Sequence, residues 1–301
     1  MAPEIRLSRP EDRDALLSFI ERMGFNPRDA ATWDGLKMCA MTAWEGAELV
    51  GAIPLEPRVV RLGRERKAKA LHQTVVAVAE GHRGAGLGSR MQDEIARLAP
   101  DGAEFLSVYR EEPESPAYRW YAKTGFRPAM HIDSWFCDEP EGKSAGVEFS
   151  SAREGLDGLE ASWRRWADES AGLIDRGSRP LSRWLAVHPY RGRYDFVLAR
   201  AGEAYALLGV GTMHSDTQRV DILELVAGPG GEGVLLGAIK GWAAGSSLRP
   251  IRWPLAEDDP MEAAAAAHEF EPRWGFDYLV KPLGGLVLPD GQWRYAGIDY
   301  A

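Results

Sequence analysis

Apolar positions in the first 137 residues alternate between a helix-like and a strand-like period. After a short strand and a Ser-Arg-Pro turn, a first helix is predicted from apolar residues at helical spacing, namely Leu16, Leu17, Phe19, Ile20 and Met23. Two apolar runs on either side of Glu45-Gly46 predict a β-hairpin whose second strand is restricted by Pro54 and Pro57. The chain therefore opens as a mixture of helices and antiparallel strands.

The hydrophobic runs that follow predict strands and helices in alternation. The β-branched run ALHQTVVAVA is typical of a central strand, and SRMQDEIARLA is typical of an amphipathic helix with Met91, Ile95 and Leu98 on one face. AEFLSVYR predicts another strand, SPAYRWYAKTGF a short helix between Pro116 and Gly125, and MHIDSWFCD a final strand. This order favours an α/β fold with a mixed sheet.

A polar segment from Asp138 to Gly146 has the composition of a linker, and a similar order of elements follows it. The second half begins with the helical stretch GLEASWRRWADESAGL, continues through three apolar strands and has its own glycine-rich break, GPGGEG, before a helix. The dipeptide Gly125-Phe126 recurs as Gly275-Phe276. We expect two copies of one fold, residues 1–137 and 147–301, joined by the linker 138–146.

Composition and charge narrow the class of protein. The chain has 301 residues, of which 45% are hydrophobic, and its net charge of −9 argues against non-specific nucleic-acid binding. No apolar run approaches about 18 residues, and the charged N-terminal segment lacks the apolar core of a signal peptide, so we expect no membrane partner and a cytoplasmic location. Cys39 and Cys137 stand far apart and predict neither a disulfide framework nor a metal site.

The segment EGHRGAGLGSRM, residues 80–91, places four glycines between a predicted strand and a predicted helix. The first amides of a helix have no intrahelical acceptor, the helix dipole adds positive charge, and glycine lets the backbone approach a phosphate. A P-loop needs Lys-Ser/Thr after its last glycine, whereas Gly88 is followed by Ser89-Arg90. The spacing also differs from the Gly-x-Gly-x-x-Gly dinucleotide fingerprint, which leaves a third kind of anion-binding turn.

This turn, Arg83-Gly84-Ala85-Gly86-Leu87-Gly88, resembles the Arg/Gln-x-x-Gly-x-Gly/Ala signature of the GNAT superfamily of acyl-CoA N-acyltransferases. YRWYAKTGF resembles the second signature of the family, and IRLSRPEDRDAL its usual first strand and helix, so the resemblance covers most of residues 4–137. It implies a twisted mixed β-sheet flanked by helices in each copy, and acetyl-CoA as co-substrate. The pyrophosphate would be held by the residues of the turn, Arg83, Gly84, Ala85, Gly86, Leu87, Gly88 and Ser89.

The resemblance also implies catalytic roles. In the family, the backbone of the strand before the turn bonds the pantetheine arm and polarises the thioester carbonyl, which points here to Val76 and Val78. Tyr121 matches the tyrosine that protonates the departing thiolate in many relatives, with Tyr118 as the alternative. Many relatives carry asparagine seven residues before this tyrosine, and the departure to Glu114 leaves the local hydrogen bonding to coenzyme A open.

The general base is less well defined than the acid. Some relatives place a glutamate eleven residues before the glycine signature, where this chain has His72. A histidine titrates near neutral pH and can accept the amine proton directly or through water. Glu80 and Gln73 are alternatives, and a relay through bulk water needs no dedicated base.

Two charged segments flank these elements. The run from Arg58 to Lys69 holds six basic residues around Glu65 and is interpreted as a solvated hairpin edge, with contact to the 3′-phosphate of coenzyme A as the alternative. A group of acidic side chains follows the strand AEFLSVYR and is interpreted as solvated, with a cationic substrate as the alternative ligand, namely Glu111, Glu112 and Glu114.

The second copy resembles the family only weakly. Its glycine turn has no arginine or glutamine at the signature position, and the position four residues before Gly275 is Glu271 instead of tyrosine. RWLAVHPYRGRYDF and the C-terminal segment resemble tandem-GNAT proteins of bacteria. We therefore expect a degenerate GNAT-like domain that binds no coenzyme A productively and helps to shape the acceptor site. His188 and His214 are expected to be structural.

The predicted function is direct transfer of an acetyl group from acetyl-CoA to a primary amine, with catalysis in residues 1–137. The acceptor is left open among an amino sugar, an aminoglycoside-like molecule, a polyamine and a protein amine. The alternative is a non-catalytic acyl-CoA-binding protein with a regulatory or scaffold role. Retention of Tyr121 favours the enzyme, whereas the degeneracy of the second half favours the binding protein.

Overall fold

The computed structural model of the chain describes most of its residues, and all structural statements here refer to that part: 2–25, 29–111, 114–143, 146–156, 158–167, 170–212, 218–228, 230–289 and 293–299. Glu112 and His214, which the sequence analysis considered, lie outside the described residues.

Fourteen strands and eight α-helices form within the described residues. The strands are β1 (Glu4–Leu7), β2 (Cys39–Glu45), β3 (Glu48–Leu62), β4 (Lys67–Gln73), β5 (Ala77–Val78), β6 (Phe105–Arg110), β7 (Arg127–Cys137), β8 (Glu148–Ser151), β9 (Ala171–Ile174), β10 (Tyr194–Ala201), β11 (Ala204–Gly211), β12 (Arg219–Val226), β13 (Ile251–Ala256) and β14 (Glu271–Pro282). The helices are α1 (Arg13–Arg22), α2 (Ala30–Gly35), α3 (Leu87–Leu98), α4 (Pro116–Lys123), α5 (Leu159–Ala167), α6 (Leu181–Val187), α7 (Gly231–Gly245) and α8 (Glu262–Ala267).

Most predicted elements are present, and three differ from the prediction. The run ALHQTVVAVA is not one strand but divides into β4 and β5. The end of the predicted helix GLEASWRRWADESAGL forms β9, because Ile174 and Ala171 pair with β3 at Val60 and Leu62 and this pairing overrides local propensity. Leu98 is 40% exposed, since the buried face of α3 ends at Ile95.

Two compact units make up the chain. The first comprises Met1–Val59, Ala68–Ala129 and Tyr278–Leu288, and the second comprises Val60–Lys67, Met130–Asp277 and Pro289–Ala301. The division into domains 1–137 and 147–301 stays a prediction. The boundaries of the compact units differ from those of the predicted domains, because β14 passes from the second unit to the first.

The first unit contains a mixed sheet. Its strands lie in the order β1, β2, β3, β4, β6 and the end of β14, and β5 pairs with β3. The pairs β1–β2 and β2–β3 are antiparallel, whereas β4 and β6 are parallel. Helix α3 packs its apolar side onto this sheet, and the resulting core includes Met41, Ile53, Leu71, Leu87, Met91, Ile95, Leu106, Tyr121, Phe126 and Leu279.

The end of β14 completes the first unit beside β6. The Leu283 amide donates to the Glu104 carbonyl at 2.7 Å, and the ring of Tyr278 lies 5.0 Å from that of Tyr109. Leu279 is 1% exposed within the apolar core. A segment far along the sequence therefore covers a strand edge that residues 1–129 leave open.

The second unit has its own mixed sheet, in the order β8, β10, β11, β12, β13, β7 and the first part of β14. The pairs β10–β11, β11–β12 and β13–β7 are antiparallel, and β12 and β13 are parallel. Its core lies between this sheet and α7 and includes Leu225, Leu235, Leu236, Ile239, Trp253 and Phe270. Both units thus carry a parallel strand pair next to a helix that follows a glycine turn. No described helix is both long and apolar enough to cross a membrane.

We predict that a fragment of residues 1–129 does not fold. It lacks Leu279, Leu283 and the backbone partners of β6, a loss of about 5 kcal/mol or more, which is comparable to the stability of a typical domain. A fragment of 1–129 joined through a flexible linker to 278–288 should unfold cooperatively. Thermal unfolding followed by circular dichroism tests this, and a cooperative transition of the shorter fragment near that of the longer one would contradict it.

Candidate active site

The strand before the glycine turn leaves β6 part-way along its length. β4 pairs in parallel with β6 at Ala70, Leu71 and His72, and the register ends at the pair His72 and Ser107. The chain then turns to β3, with which β5 pairs through Ala77 and Val78. Strands β5 and β6 therefore diverge. The last residues of β6, from Val108 to Arg110, lie beyond the register that pairs β6 with β4.

The backbone amide and carbonyl of Val78 lie on the open edge of β5, the edge that does not face β3. The Ala79 amide donates to the Val50 carbonyl at 2.9 Å, on the β3 side. Because neighbouring residues of a strand direct their amide and carbonyl groups to opposite edges, the backbone of Val78 points away from β3, and the same alternation applies to Val76. The Val78 carbonyl accepts a hydrogen bond from Arg83 Nε at 3.0 Å.

The glycine turn presents a run of free amides at the start of α3. Gly84 has φ +74° and Gly86, which caps the helix, has φ +76°, both in the left-handed region that favours glycine. Within the described chain, the amides of residues 84–89 meet no hydrogen-bond acceptor. A Cβ atom at Gly84 or Gly86 would have no protein atom within 4 Å. The space above the turn is therefore open to a ligand, and the helix dipole favours an anion there.

Packing beneath the turn fixes its position. Trp120 on α4 donates from its indole nitrogen to Ser89 Oγ at 3.0 Å. A Cβ on Gly88 would lie 3.5 Å from the Trp120 ring and 3.8 Å from Val76. Because α4 starts at a Ser115 cap, whose hydroxyl accepts from the Tyr118 amide at 3.2 Å, the position of Trp120 is set by local sequence signals.

Tyr121 lies on the buried face of α4, with 1% of its surface exposed. Arg110, the last residue of β6, donates from Nη2 to the Tyr121 hydroxyl at 3.2 Å, and its guanidinium also lies 4.9 Å from the ring centre. Burial raises the pKa of Tyr121, whereas the positive charge and hydrogen bond of Arg110 oppose that rise. The phenol is thus protonated at neutral pH and its conjugate base has a cation within reach.

His72 occupies the point at which β4 and β6 separate. It is 3% exposed, and its Nδ1 lies 3.0 Å from Ser107 Oγ. Its ring packs 5.0 Å from Tyr109 and stacks at 6.5 Å on Tyr278. The imidazole is therefore held in a fixed orientation between two tyrosines and a hydroxyl.

The alternatives to His72 lie in different surroundings. Gln73 is fully buried and donates to Gln92 at 2.8 Å, which ties β4 to α3. Glu80 is exposed in the short helical turn before Arg83. Tyr118, the alternative acid, is half-buried one turn before Tyr121 on α4. The structure therefore separates these candidates by environment, although it does not bring a ligand to any of them.

The basic segment from Arg58 to Lys69 forms the hairpin between β3 and β4, but the prediction that it is solvated is wrong for two residues. Arg58 is buried and pairs with buried Glu56 at 2.9 Å. Arg61 is also buried and lies 3.7 Å from Asp175. Arg64, Arg66, Lys67 and Lys69 are exposed, so four of the six basic residues lie at the surface as predicted. Glu111 and Glu114 are exposed after β6, as the interpretation of solvated carboxylates requires.

The second unit repeats the frame of the site without its chemical groups. Gly230, with φ +80°, caps α7 as Gly86 caps α3. At the next helix, the Phe270 amide donates to the Ala265 carbonyl at 3.0 Å, as the Phe126 amide donates to the Tyr121 carbonyl at 3.1 Å. Tyr121 and Ala265 are separated by the same number of residues as the two capping glycines, Gly86 and Gly230, and so are the two phenylalanines. Ala265 therefore stands where the first unit has Tyr121.

This equivalence corrects the sequence comparison. The pairing of Gly125-Phe126 with Gly275-Phe276 is wrong, and so is the choice of Glu271 as the counterpart of Tyr121. Gly125 ends a helix at φ +92°, whereas Gly275 lies inside β14, where a Cβ would be 2.8 Å from the Ile132 carbonyl oxygen. The two glycines meet different constraints, and their recurrence carries no structural homology.

The gap between the parallel strands of the second unit is filled by the end of the chain. Within the described residues, β12 and β13 pair at Val220 and Asp221 and then diverge. The turn Gly297–Asp299 packs against β12 so closely that a Cβ on Gly297 would lie 3.3 Å from Leu223 Cα. The remaining void has a volume of about 10 Å³, which is no more than a water molecule needs.

His188, which was expected to be structural, is buried among aromatic rings. Its Nδ1 accepts from the Tyr190 amide at 3.2 Å, and its ring lies 4.9 Å from Trp184 and 5.2 Å from Phe196. Cys39 and Cys137 are both free thiols. Burial raises the pKa of Cys39 to about 11, so that this thiol is protonated at neutral pH.

Comparison with known protein families decides the class of this site. Residues 8–126 match the sequence model of the acetyltransferase (GNAT) family, and this range contains the glycine turn, Arg110 and Tyr121. Residues 8–126 belong to the GNAT family. Acyl transfer is therefore the general activity of this part of the chain, and the chain is an enzyme of the acyltransferase class.

Solved structures share the fold over most of the chain. A GCN5-related N-acetyltransferase from Kribbella flavida is 16% identical, covers 93% of this chain and 71% of its own, and has a TM-score of 0.66. A protein from Enterococcus faecalis V583, described as a probable N-acyltransferase, is 12% identical with coverage of 93% and 72% and a TM-score of 0.69. A tandem GNAT protein from the clavulanic acid biosynthesis pathway is 17% identical with coverage of 95% and 100% and a TM-score of 0.59. Comparison with curated proteins found no match.

Three contributors to the candidate site and to its counterpart in the second unit were not found from the sequence. Arg110 ends a predicted strand eleven residues before Tyr121, and only the packing of α4 on β6 shows that they meet. Tyr278 and the turn Gly297–Asp299 come from the far end of the chain. The resemblance of the C-terminal segment to tandem-GNAT proteins pointed to no specific contact, and nothing local in the sequence indicated the other two.

We predict that Gly86→Ala weakens coenzyme A binding at least tenfold. A left-handed alanine costs about 1–2 kcal/mol, and its Cβ would project into the open space above the amides. Gly81→Ala is the matched control, since Gly81 also has open space around its Cβ position but no positive φ. Calorimetric titration of coenzyme A measures both affinities, and equal weakening by the two variants would contradict this role of the turn.

Proposed function

We propose that the chain transfers an acetyl group from acetyl-CoA to a primary amine, with the first unit as the catalytic centre. The observation that carries this proposal is the run of free amides at residues 84–89 beside the divergence of β5 from β6. This arrangement offers a place for a diphosphate and, next to it, an open strand edge for an extended arm. The family match of residues 8–126 supports the same reaction class.

The residues present fit coenzyme A. The amides from Gly84 to Ser89 would bind the pyrophosphate, and Arg83 and Arg90 are exposed on either side of them. The backbone of Val76 and Val78 would bond the pantetheine arm along the open edge of β5. For the Val78 carbonyl, Arg83 Nε is the partner in the free protein.

Acyl transfer forms a bond from the amine nitrogen to the thioester carbon and breaks the carbon–sulfur bond, whose electron pair stays on sulfur. A protonated group near the sulfur lowers the barrier to its departure. Tyr121 supplies this proton in our proposal, since burial keeps its hydroxyl protonated. Arg110 then stabilises the transient phenolate through the hydrogen bond that it makes to the same oxygen.

The amine must lose a proton to become a nucleophile, and we propose His72 as the group that receives it. The hydrogen-bonding distance to Ser107 and the packing against Tyr109 fix the ring at the mouth of the strand gap. Relay through water remains part of this proposal, because the ring is almost fully buried. Tyr278 becomes a positioning residue that the C-terminal segment supplies to the catalytic unit.

The second unit, in this proposal, binds no coenzyme A. Ala265 replaces the phenol, and the turn Gly297–Asp299 occupies the gap between β12 and β13. The acceptor belongs to one of the four classes named in the sequence analysis: an amino sugar, an aminoglycoside-like molecule, a polyamine or a protein amine. Two free thiols, Cys39 and Cys137, fit a reducing cytoplasm as the compartment.

Release of free thiol from acetyl-CoA in the presence of a panel of these amines tests the function. We expect amine-dependent release with at least one class, and mass spectrometry should find the acetylated amine. Tight coenzyme A binding with no turnover across the panel would favour the alternative, a non-catalytic acyl-CoA-binding protein.

We predict that Tyr121→Phe lowers kcat by about 10²-fold or more, because the thiolate then leaves without its proton donor. Arg110→Met should lower kcat by about tenfold and move the alkaline limb of its pH profile to higher pH, since removing the cation raises the pKa of Tyr121 further. In a Tyr121→Phe background, Arg110→Met should have little further effect.

Tyr118→Phe is the matched control, because Tyr118 lies on the same helix and is only half-buried. Full kcat in Tyr121→Phe together with a large loss in Tyr118→Phe would move the proton donor to Tyr118. An unshifted alkaline limb in Arg110→Met would remove Arg110 from the mechanism.

A further inference from the structure

One face of the sheet in the first unit carries a group of polar side chains. The alternate residues of the same strands, including Leu55, Leu71 and Leu106, belong to the apolar core beneath α3. The polar group comprises Glu56, Arg58, His72, Ser107, Tyr109 and Tyr278. All of these except Tyr109 are at most 4% exposed. The proposed reaction gives no part to the two buried charges of the group, on Glu56 and Arg58.

The hairpin of β3 and β4 has the same register at both of its ends. Near the turn, the Leu62 amide donates to the Arg66 carbonyl at 2.9 Å. At the other end, the Thr74 amide donates to the Pro54 carbonyl at 3.3 Å. The two segments between these bonds are equally long, so each step forward along β3 is matched by one step back along β4. This register fixes which residues of the two strands lie opposite each other.

Glu56 therefore lies opposite His72, and Arg58 lies opposite Ala70. Directly opposite residues of an antiparallel pair project to the same face, with Cβ atoms about 4.5–5.5 Å apart. On the other side of β4, the parallel register places Ser107 beside His72, and Ser107 Oγ lies 3.0 Å from His72 Nδ1. The imidazole thus belongs to a row that has a carboxylate residue on one side and a hydroxyl on the other.

The carboxylate of Glu56 is kept ionised by Arg58. Arg58 donates from Nε to one carboxylate oxygen at 2.9 Å and from Nη2 to the other at 3.0 Å, and both side chains are at most 1% exposed. Burial alone would lower the pKa of Arg58, but the charge of Glu56 and the phenols of Tyr109 and Tyr278 outweigh burial and raise this pKa. Packed apolar residues often stabilise a fold as well as a buried ion pair does, so the pair indicates a role beyond stability.

We propose that Glu56 is a positioning residue for His72, whose carboxylate balances the positive charge that the imidazole acquires from the acceptor amine. The inference rests on the proposed function, in which His72 is the base. In that step an amine N–H bond breaks, its electron pair stays on the amine nitrogen, and the proton bonds to a ring nitrogen of His72, directly or through water. Arg58 holds the carboxylate in place. The other groups of the first unit that surround the imidazole are uncharged at neutral pH, namely Ser107, Tyr109 and Tyr278.

Removal of each charge in turn should shift the protonation of His72 in opposite directions. Glu56→Gln removes the carboxylate, makes the imidazolium less favourable and should lower the midpoint of His72 protonation by about one pH unit. Arg58→Gln leaves the carboxylate without its cation and should raise the midpoint by a similar amount. NMR titration of the imidazole signals in the full chain without substrate measures the midpoint, with His72→Gln to assign the signal. The acid limb of the pH profile of kcat/KM should move with the midpoint.

Glu48→Gln is the matched control, since it removes the same charge from an exposed position on β3 and should leave the midpoint unchanged. Each single variant at the pair leaves a buried charge uncompensated, which threatens folding. The double variant Glu56→Gln/Arg58→Gln leaves none. It should lower the midpoint by less than Glu56→Gln does, because the carboxylate belongs to the residue opposite His72.

Shifts in the same direction in the two single variants, or an unchanged midpoint in the double variant, would overturn the proposal. Opposite shifts of the NMR midpoint with an acid limb that stays in place would retain the action of Glu56 on His72 and overturn His72 as the base. Absence of turnover in the unaltered chain would contradict the proposed function, and the NMR titration would still decide whether Glu56 acts on His72.

Discussion

The divergence of β5 from β6 is the constraint on which the rest of the candidate site depends. β4 and β6 pair only as far as His72 and Ser107, after which the chain is captured by β3. That departure leaves an open strand edge and delivers the chain to the glycine turn with its amides unpaired. The end of β6 also carries Arg110, which donates to the Tyr121 hydroxyl. A continuous strand at this place would close the edge and remove the site.

The two units share an arrangement of strands, glycine cap and short helix, but only the first has a tyrosine at the position of Tyr121. Each has a parallel strand pair, a left-handed glycine at the helix cap and a short helix that ends with a buried phenylalanine. The first unit keeps its strand gap open and places a buried phenol beside it. In the second unit an alanine replaces the phenol, and the chain packs its own Gly297–Asp299 turn into the gap. In the second unit this turn therefore occupies the space that stays open between the strands of the first unit.

Local sequence signals were enough for the parts of the site that depend on a few neighbouring residues. The glycine turn, the Ser115 cap and the helix that carries Tyr121 follow from patterns of this kind, and the structure contains all three. The contacts of Arg110 and Tyr278 depend on tertiary pairing, and the chain that covers β6 comes from residues beyond 277. The repeated Gly-Phe dipeptide was misleading, because Gly275 is fixed by crowding inside a strand and not by a helix end. The sequence also did not indicate the break between β4 and β5, because β-branched residues continue through it.

The most direct measurement of the central claim is the response of individual backbone amides to coenzyme A, followed by ¹⁵N NMR of the full chain. The account predicts the largest shifts at residues 84–89, with smaller changes at Val76 and Val78, and none at the glycine turn around Gly230. Saturating coenzyme A that leaves residues 84–89 unchanged, or shifts concentrated around Gly230, would contradict it.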